Sequence, residues 1–279
     1  MPSKIIPEEL KEEIRDYYQS SPMTISSVAK HFSLSDPTIV KILRDIPRWT
    51  RAQINSPNLD ERFFQYINTE AKAYFLGLII SDGNVYDPEV SKEGAKGRQK
   101  SISITLDLND EYMLNEFKKH VKSNTSVGHD SRGCGQIAVR SNKMAEDLAK
   151  WGIVPRKSFS TYLPEGISDD MMPHLFRGIF DGDGSIQMKQ IETRYLHAMS
   201  YCGTHRLMQD MCDYLNIHLN LENELHVYDY KNKELSEFKI QRINDILKFG
   251  EWMYKDATIF LTRKHDKYLE FKKHYSLDS

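Results

Sequence analysis

The sequence predicts an α+β fold in which one unit (helix, two strands, helix, two strands, helix) is built twice in tandem behind a small all-α segment. Three observations carry this reading. The stretch Phe75-Leu-Gly-Leu-Ile-Ile-Ser-Asp-Gly83 lies without a gap over Phe176-Arg-Gly-Ile-Phe-Asp-Gly-Asp-Gly184, 101 residues further on. Leu114 with Leu215 and Trp151 with Trp252 keep the same spacing, and several matches in one register mark a duplicated unit. Finally, each copy passes from helical periodicity to strand alternation and back, the pattern of an α+β unit.

In chain order, residues 1 to about 50 read as three short helices. Ile25, Val28, Ala29, Phe32, Leu34, Ile39 and Ile42 fall where two helices crossing at a tight turn bury them. Asp36-Pro37 supplies an N-cap followed by proline at the first helical position. The spacing resembles a helix-turn-helix, with Ser33 where that motif usually has glycine at the turn. The resemblance makes Pro37 to Arg44 the recognition helix and Thr38, Lys41 and Arg44 its DNA-facing side chains. The alternative is a generic three-helix cap. Pro47 to Asn58 has linker chemistry (Pro47, Asn55, Ser56, Pro57, Asn58), so the domains are expected at 1–55, 56–168 and 169–279.

The first unit opens on the apolar run Tyr74 to Ile80. It continues into Ser101-Ile-Ser-Ile-Thr-Leu-Asp-Leu108, apolar at every second position, then an amphipathic helix from Asp110 to Val121 and a strand from Gly135 to Arg140. In the second unit the corresponding helix spans Thr204 to Leu215 and a strand Leu225 to Tyr230.

Composition narrows the class. A hydrophobic fraction of 39% and a charged fraction of 28% fit a soluble globular chain. The run at Tyr74 to Ile80 is far shorter than the roughly 20 residues of a membrane helix, and the N-terminus lacks a basic-then-apolar signal, so an intracellular protein with no membrane partner is expected. Cys134, Cys202 and Cys212 form no C-x-x-C pair, which supports neither a disulfide framework nor a structural zinc site. Net charge is −2, from 38 Lys and Arg against 40 Asp and Glu, so a nucleic-acid partner would have to be met by local basic clusters. Lys92, Lys96, Arg98 and Lys100 against Glu93 form one such cluster. A solvated hairpin tip accounts for it as well.

The chemistry concentrates at the two Asp-Gly segments. A helix-interior glycine costs about 1 kcal/mol relative to alanine unless something requires it, and close contact of two helix backbones through Gly77 and Gly178 is such a requirement. Helices packed at those glycines bring their C-terminal ends together, with Asp82 and Asp183 on one edge. Two carboxylates at the negative end of helix dipoles are unfavourable unless a cation binds there, and hard oxygen ligands suit Mg²⁺. Taken singly, each Asp-Gly is also an ordinary helix-ending turn.

The paired segments resemble the motifs of the LAGLIDADG homing endonucleases over residues 69 to 279. The second copy ends Asp181-Gly-Asp-Gly184, whereas the first has Ile80 in place of the earlier acid and Ser81 in place of a smaller residue. The resemblance implies two pseudo-symmetric αββαββα units forming a DNA-binding saddle in a monomer that cuts both strands of a long double-stranded DNA target, as in intron homing. Asp82 and Asp183 would hold Mg²⁺ or another divalent ion such as Mn²⁺, with the backbone carbonyls of Ser81 and Gly182 as further ligands. Lys157 and Lys264 match the lysine near the water network in many members, although a plain surface lysine fits each position too. Asp107, Asn109 or Asp110 would complete the first half-site. DNA contacts are expected from Arg98, Lys100, Ser103, Arg132 and Arg140 in the first half, and from Lys189, Arg194, Lys231, Lys239 and Gln241 in the second. The other class of function on this scaffold is a non-cleaving regulator or an RNA-splicing maturase.

Overall fold

A computed structural model describes residues 6–90, 99–156, 161–191, 194–230 and 235–276, with the side chains of 190–195 and 276 outside the description. The chain divides into two compact units, one of residues 1–60 with 122–125 and the other of the remainder.

The first unit is helical: α1 (Glu8–Ser20), α2 (Ile25–His31), α3 (Asp36–Ile42) and α4 (Arg51–Asn55). Ile14, Tyr18, Val28, Ala29, Ile39, Ile42 and Leu43 make its core, and Ile25, Phe32 and Leu34 pack partly buried against it. The cap of α3 is Ser35 rather than Asp36, which lies in the first turn with Pro37. Proline is tolerated there because first-turn N–H groups have no intrahelical acceptor. The helix stops at Ile42, short of Arg44. Ser33, between α2 and α3, adopts the left-handed conformation at φ 53°. The stretch expected to be plain linker contains the one-turn α4, nucleated by a capping box in which Thr50 and Gln53 satisfy each other's backbone N–H.

The second unit repeats one sequence of elements. Its first half is α5 (Glu70–Asp82), β1 (Gly83–Tyr86), β2 (Ser101–Asp107), a 3-10 turn at Leu108–Asp110, α6 (Glu111–His120), β3 (Gly128–His129), β4 (Cys134–Arg140) and α7 (Asn142–Lys150). Its second half is α8 (Met172–Asp183), β5 (Gly184–Ile191), β6 (Arg194–Gly203), α9 (His205–His218), β7 (Val227–Asp229), β8 (Ser236–Ile240) and α10 (Ile243–Tyr254). A further helix, α11 (Thr262–Ser276), was not foreseen. Each half forms a four-stranded antiparallel sheet, ordered β1-β2-β4-β3 and β5-β6-β8-β7. This is the predicted αββαββα unit, present twice.

Alternation gives each sheet two unlike faces. Val85, Ile102, Ile104, Leu106, Ile137 and Val139 are buried, with Leu114 and Phe117 of amphipathic α6 also in the core. Their neighbours face away from that core, in registers such as Asn84 with Ser103 and Ala138, and Tyr86 with Ser101 and Arg140. In the second sheet Met199, Tyr201, Phe238 and Ile240 are buried, and Ser185, Ser200 and Lys239 share the other face. Among the described residues no helix is long and apolar enough to cross a membrane.

Candidate active site

α5 and α8 cross at their glycines. A Cβ on Gly178 would strike the Tyr74 carbonyl oxygen and come within 2.9 Å of the Leu78 nitrogen; one on Gly77 would strike the Leu175 carbonyl oxygen and approach the Ile179 nitrogen to 2.9 Å. Backbone meets backbone, so neither position has room for a side chain. Nearly every residue of α5 from Ala71 to Ile80 is buried, which explains an apolar run without an amphipathic stripe: the helix is enclosed on all sides.

Asp82 is the last residue of α5 and Asp183 the last of α8, each followed by a glycine that opens a strand. Asp183 is exposed and Asp82 half-buried. The two ends adjoin: a Cβ on Gly182 would strike the Ser81 side chain and stand 2.9 Å from Asp82 Oδ2.

Behind this edge the second half carries buried polar groups. Asp181 is fully buried, and its Oδ2 accepts from the Tyr74 hydroxyl (2.7 Å) and the Leu261 N–H (2.6 Å). Among the described residues Oδ1 has no hydrogen-bond partner. Burial pushes this carboxyl up to about 7, against the two hydrogen bonds and the positive charges of Arg177 and Lys264. Lys264, 7% exposed, donates from Nζ to the carbonyls of Phe180 and Gly184. Those carbonyls belong to the last turn of α8 and its cap, where cations are favoured. Desolvation brings its amine down to about 8, helped by Arg263 and opposed by Asp181 and Asp82. Lys264 is therefore not a plain surface lysine.

Arg177 is buried without exposure; it donates to the carbonyls of Ile259 (2.8 Å) and Met253 (2.5 Å), to Glu70 Oε1 (2.7 Å) and to His174 Nδ1 (2.9 Å). Burial raises the Glu70 carboxyl, but hydrogen bonds from Thr258 and Ile259, with Arg177 beside it, bring it below its ordinary value.

No protein-family model matches the sequence, and no curated protein sequence matches it. Solved structures do match the fold. The LAGLIDADG meganuclease I-AabMI bound to uncleaved DNA aligns with a TM-score of 0.54 at 13% identity, over 75% of this chain and 91% of that one. Meganuclease I-SmaMI bound to uncleaveable DNA gives 0.53 at 13% over 74% and 90%. The LAGLIDADG homing endonuclease I-LtrWI bound to target DNA gives 0.52 at 12% over 78% and 91%. The chain has the LAGLIDADG fold.

Within that LAGLIDADG fold the residues expected at the site divide into four groups. Ser81, Asp82, Gly182 and Asp183 lie together at the helix ends, with Lys264 behind α8. Ser103, Arg140, Lys189 and Lys239 lie on the sheet faces turned away from the cores, Arg140 and Lys189 exposed, Lys239 paired with Glu237 at 3.0 Å. Lys100 pairs with Asp87 at 2.9 Å, Arg132 pairs with Asp130 at 2.6 Å at the β3–β4 turn, and Gln241 is exposed just past β8. Lys157, Arg98, Lys231 and the side chain of Arg194 lie outside the described residues.

In the first unit Lys41 and Arg44 are exposed, whereas Thr38 is partly buried and shares a 2.9 Å hydrogen bond with Ser35. The candidates for completing the first half-site have local employment: Asp107 accepts from the N–H and side chain of Asn109, and Asp110 pairs with Arg263. Sequence reasoning passed over Arg177, Glu70, Tyr74 and Tyr112. The charged residue at Arg177, set among Leu175, Phe176, Ile179 and Phe180, was the available signal.

Among the described residues no three His, Cys, Asp or Glu side chains converge on one point. The donors at the helix ends are all hard oxygens: two carboxylates and the carbonyls of the last turns. That set fits a hydrated Mg²⁺ or Mn²⁺, which keeps several waters and takes one or two carboxylates. It does not suit a soft thiolate-seeking metal.

Proposed function

We propose that the chain is a site-specific endonuclease that makes a double-strand break in a long DNA target by divalent-metal-dependent phosphodiester hydrolysis, as homing endonucleases do. The observation that carries the reading is the meeting of two helix ends, each closing in Asp-Gly, at backbones in direct contact. Two like charges at the negative ends of two dipoles cost free energy, and a bound cation offsets that cost. Asp82 and Asp183, with the carbonyls of Ser81 and Gly182, would hold Mg²⁺ or Mn²⁺. Such an ion supplies charge neutralisation on the phosphate and an activated water.

The protein's own groups do the rest. Lys264, whose amine burial brings down to about 8, stays largely protonated near neutral pH and would hold its positive charge on the carbonyls that end α8, within electrostatic reach of the Asp82 carboxylate. The outer faces of the two sheets carry polar side chains suited to base edges in a major groove: Ser103 and Arg140 on one, Lys189, Lys239 and the neighbouring Gln241 on the other. Arg98, Lys100, Arg132, Arg194 and Lys231 would add phosphate contacts. The duplication within one chain supports a monomer with internal pseudo-two-fold symmetry, with halves at 56–168 and 169–279.

Residues 1–55 are proposed as a helix-turn-helix that adds contacts through Lys41 and Arg44. Buried Ala29, Ile39 and Ile42 and the left-handed turn at Ser33 support this.

The test is paired binding and cleavage on one duplex selected from a randomised library, for wild type, Asp82→Asn and Asp183→Asn. Metal activation contributes several kcal/mol, so cleavage by each variant should fall by orders of magnitude while binding holds or tightens. Full cleavage by the double variant ends the catalytic assignment. Specific binding without Mg²⁺-dependent cutting by wild type reassigns the chain as a non-cleaving nucleic-acid binder.

A further inference from the structure

We infer that Thr258–Lys264 is a strap gripped by both halves of the duplicated unit, and that Tyr112 and Asp110 of the first half are positioning residues for the Lys264 amine of the second. Its consequence for cleavage rests on the nuclease reading above; the strap itself does not.

The strap joins α10 to α11, and side chains from distant elements hold it almost residue by residue. The Glu70 carboxylate accepts from Thr258 N–H (2.7 Å), Ile259 N–H (2.9 Å) and the Thr258 hydroxyl (2.6 Å). Asp181 accepts from Leu261 N–H. The Tyr112 hydroxyl donates to Phe260 carbonyl oxygen (3.2 Å) and accepts from Thr262 N–H (2.6 Å). Arg263 Nε donates to Asp110 Oδ2 at 2.7 Å, where the carboxylate side chain is only 3% exposed. Glu70, Tyr112 and Asp110 belong to the first half; Asp181 and Arg177 belong to the second.

A connecting loop ordinarily runs over the surface and leaves its backbone groups to water or to its own turns. Here those groups are satisfied by side chains fixed on two different halves. The physical return is precision at the next residue. Lysine has a long flexible stem with rotatable donors, so its amine stays on the Phe180 and Gly184 carbonyls only if the start of α11 is itself fixed. Tyr112 and Asp110 fix that start, at Thr262 and Arg263, from the opposite half. The hydroxyl of Tyr112 belongs to a side chain 39% exposed, so its removal opens no core cavity.

The experiment uses the full chain as wild type, Tyr112→Phe and Asp110→Asn. First, without metal or DNA, lysines are acylated with trace acetic anhydride, and Lys264 is compared by peptide mass spectrometry with exposed Lys255 of the same molecule. Wild-type Lys264 should react at least ten-fold more slowly than Lys255, and each variant should raise its rate three-fold or more with Lys255 unchanged. Second, with Mg²⁺ and the selected duplex carrying a label on each strand, the variants should slow one strand about ten-fold and the other less than two-fold, so that nicked product accumulates. A merely structural contribution would slow both strands alike. Unchanged Lys264 labelling in Tyr112→Phe, or equal slowing of both strands, overturns the inference. If wild type cuts nothing the nuclease reading falls, and the labelling result alone decides the strap.

Discussion

Replacing Gly178 by alanine should destabilise the protein, against the usual direction for glycine in a helix. In an ordinary helix interior the change gains about 1 kcal/mol, because alanine is the better helix former. At Gly178 the new methyl would stand 2.9 Å from Leu78 N and 3.0 Å from the Tyr74 carbonyl carbon, and closer still to the carbonyl oxygen. Carbon contacts prefer about 3.5–4.0 Å, and the opposing atoms are backbone, which cannot swing aside. The helices must part instead, loosening the packing of Phe75, Leu78 and Ile79 on one helix with Leu175, Phe176 and Ile179 on the other, all fully or almost fully buried. Overpacking of this kind costs typically about 1–3 kcal/mol, and rigid opposition puts this site at the upper end. The net expectation is a loss of about 2 kcal/mol, once the gain of about 1 kcal/mol in helix propensity is set against it. Urea denaturation followed by fluorescence and far-UV circular dichroism measures it, with coincident transitions as the check on two-state behaviour. Parting the helices also separates Ser81 and Asp82 from Gly182, so Mg²⁺-dependent cleavage should fall in the folded variant. A Gly178→Ala chain as stable as wild type, or more so, refutes close backbone approach as the reason for these glycines.

Other predictions follow from charge and from domain organisation. The Asp181 carboxyl titrates at about 7 in the folded chain against 3.8 as its ordinary value, so the folded state binds more protons between those values and this group's contribution to stability declines as pH rises through the window. The displacement corresponds to about 4 kcal/mol as an order of magnitude. Asp181→Asn lacks that loss, so its stability relative to wild type should climb from about pH 4 to pH 7 and then level off; a pH-independent difference in denaturation midpoints counts against it. Affinity for the selected duplex should fall with log salt at about 0.9 per phosphate contact, and replacing exposed Arg140 and Lys189 by alanine should flatten the slope; an unchanged slope puts the DNA elsewhere. A chain beginning at Leu59 should fold, keep Mg²⁺-dependent cleavage and bind at least several-fold more weakly. Equal affinity removes the first unit from the DNA contact.

Much of the fold was legible because its signals are periodic. Strand alternation over Ser101–Asp107 and Cys134–Arg140 located β2 and β4 to within a residue or so, since each inward position must be apolar to be buried. The helix-interior glycines announced the crossing, because only backbone contact justifies them in two copies. Ends were less legible: α3 is capped at Ser35, as a serine and an aspartate side by side are both good caps and local chemistry does not choose between them. Helix α4 was hidden by its five-residue length and linker-like surroundings. Within the site, the two terminal acids followed from the motif. The earlier acid of the second motif, without a partner in the first, gave no hint that Asp181 is buried beneath Tyr74 and Leu261.

The sequence by itself determined the duplicated unit, the strand faces and the pair of acids at the helix ends, all of which depend on spacing within one element or on repetition at a fixed offset. Only the tertiary structure decided the surroundings of those acids. Lys264 became a buried amine on the end of α8, Arg177 and Glu70 became the clasp of the strap, and Tyr112 reached a backbone 150 residues away. Such contacts join elements with no common period, and the desolvation that moves the Asp181 carboxyl to about 7 and the Lys264 amine to about 8 arises only when packing has removed the water.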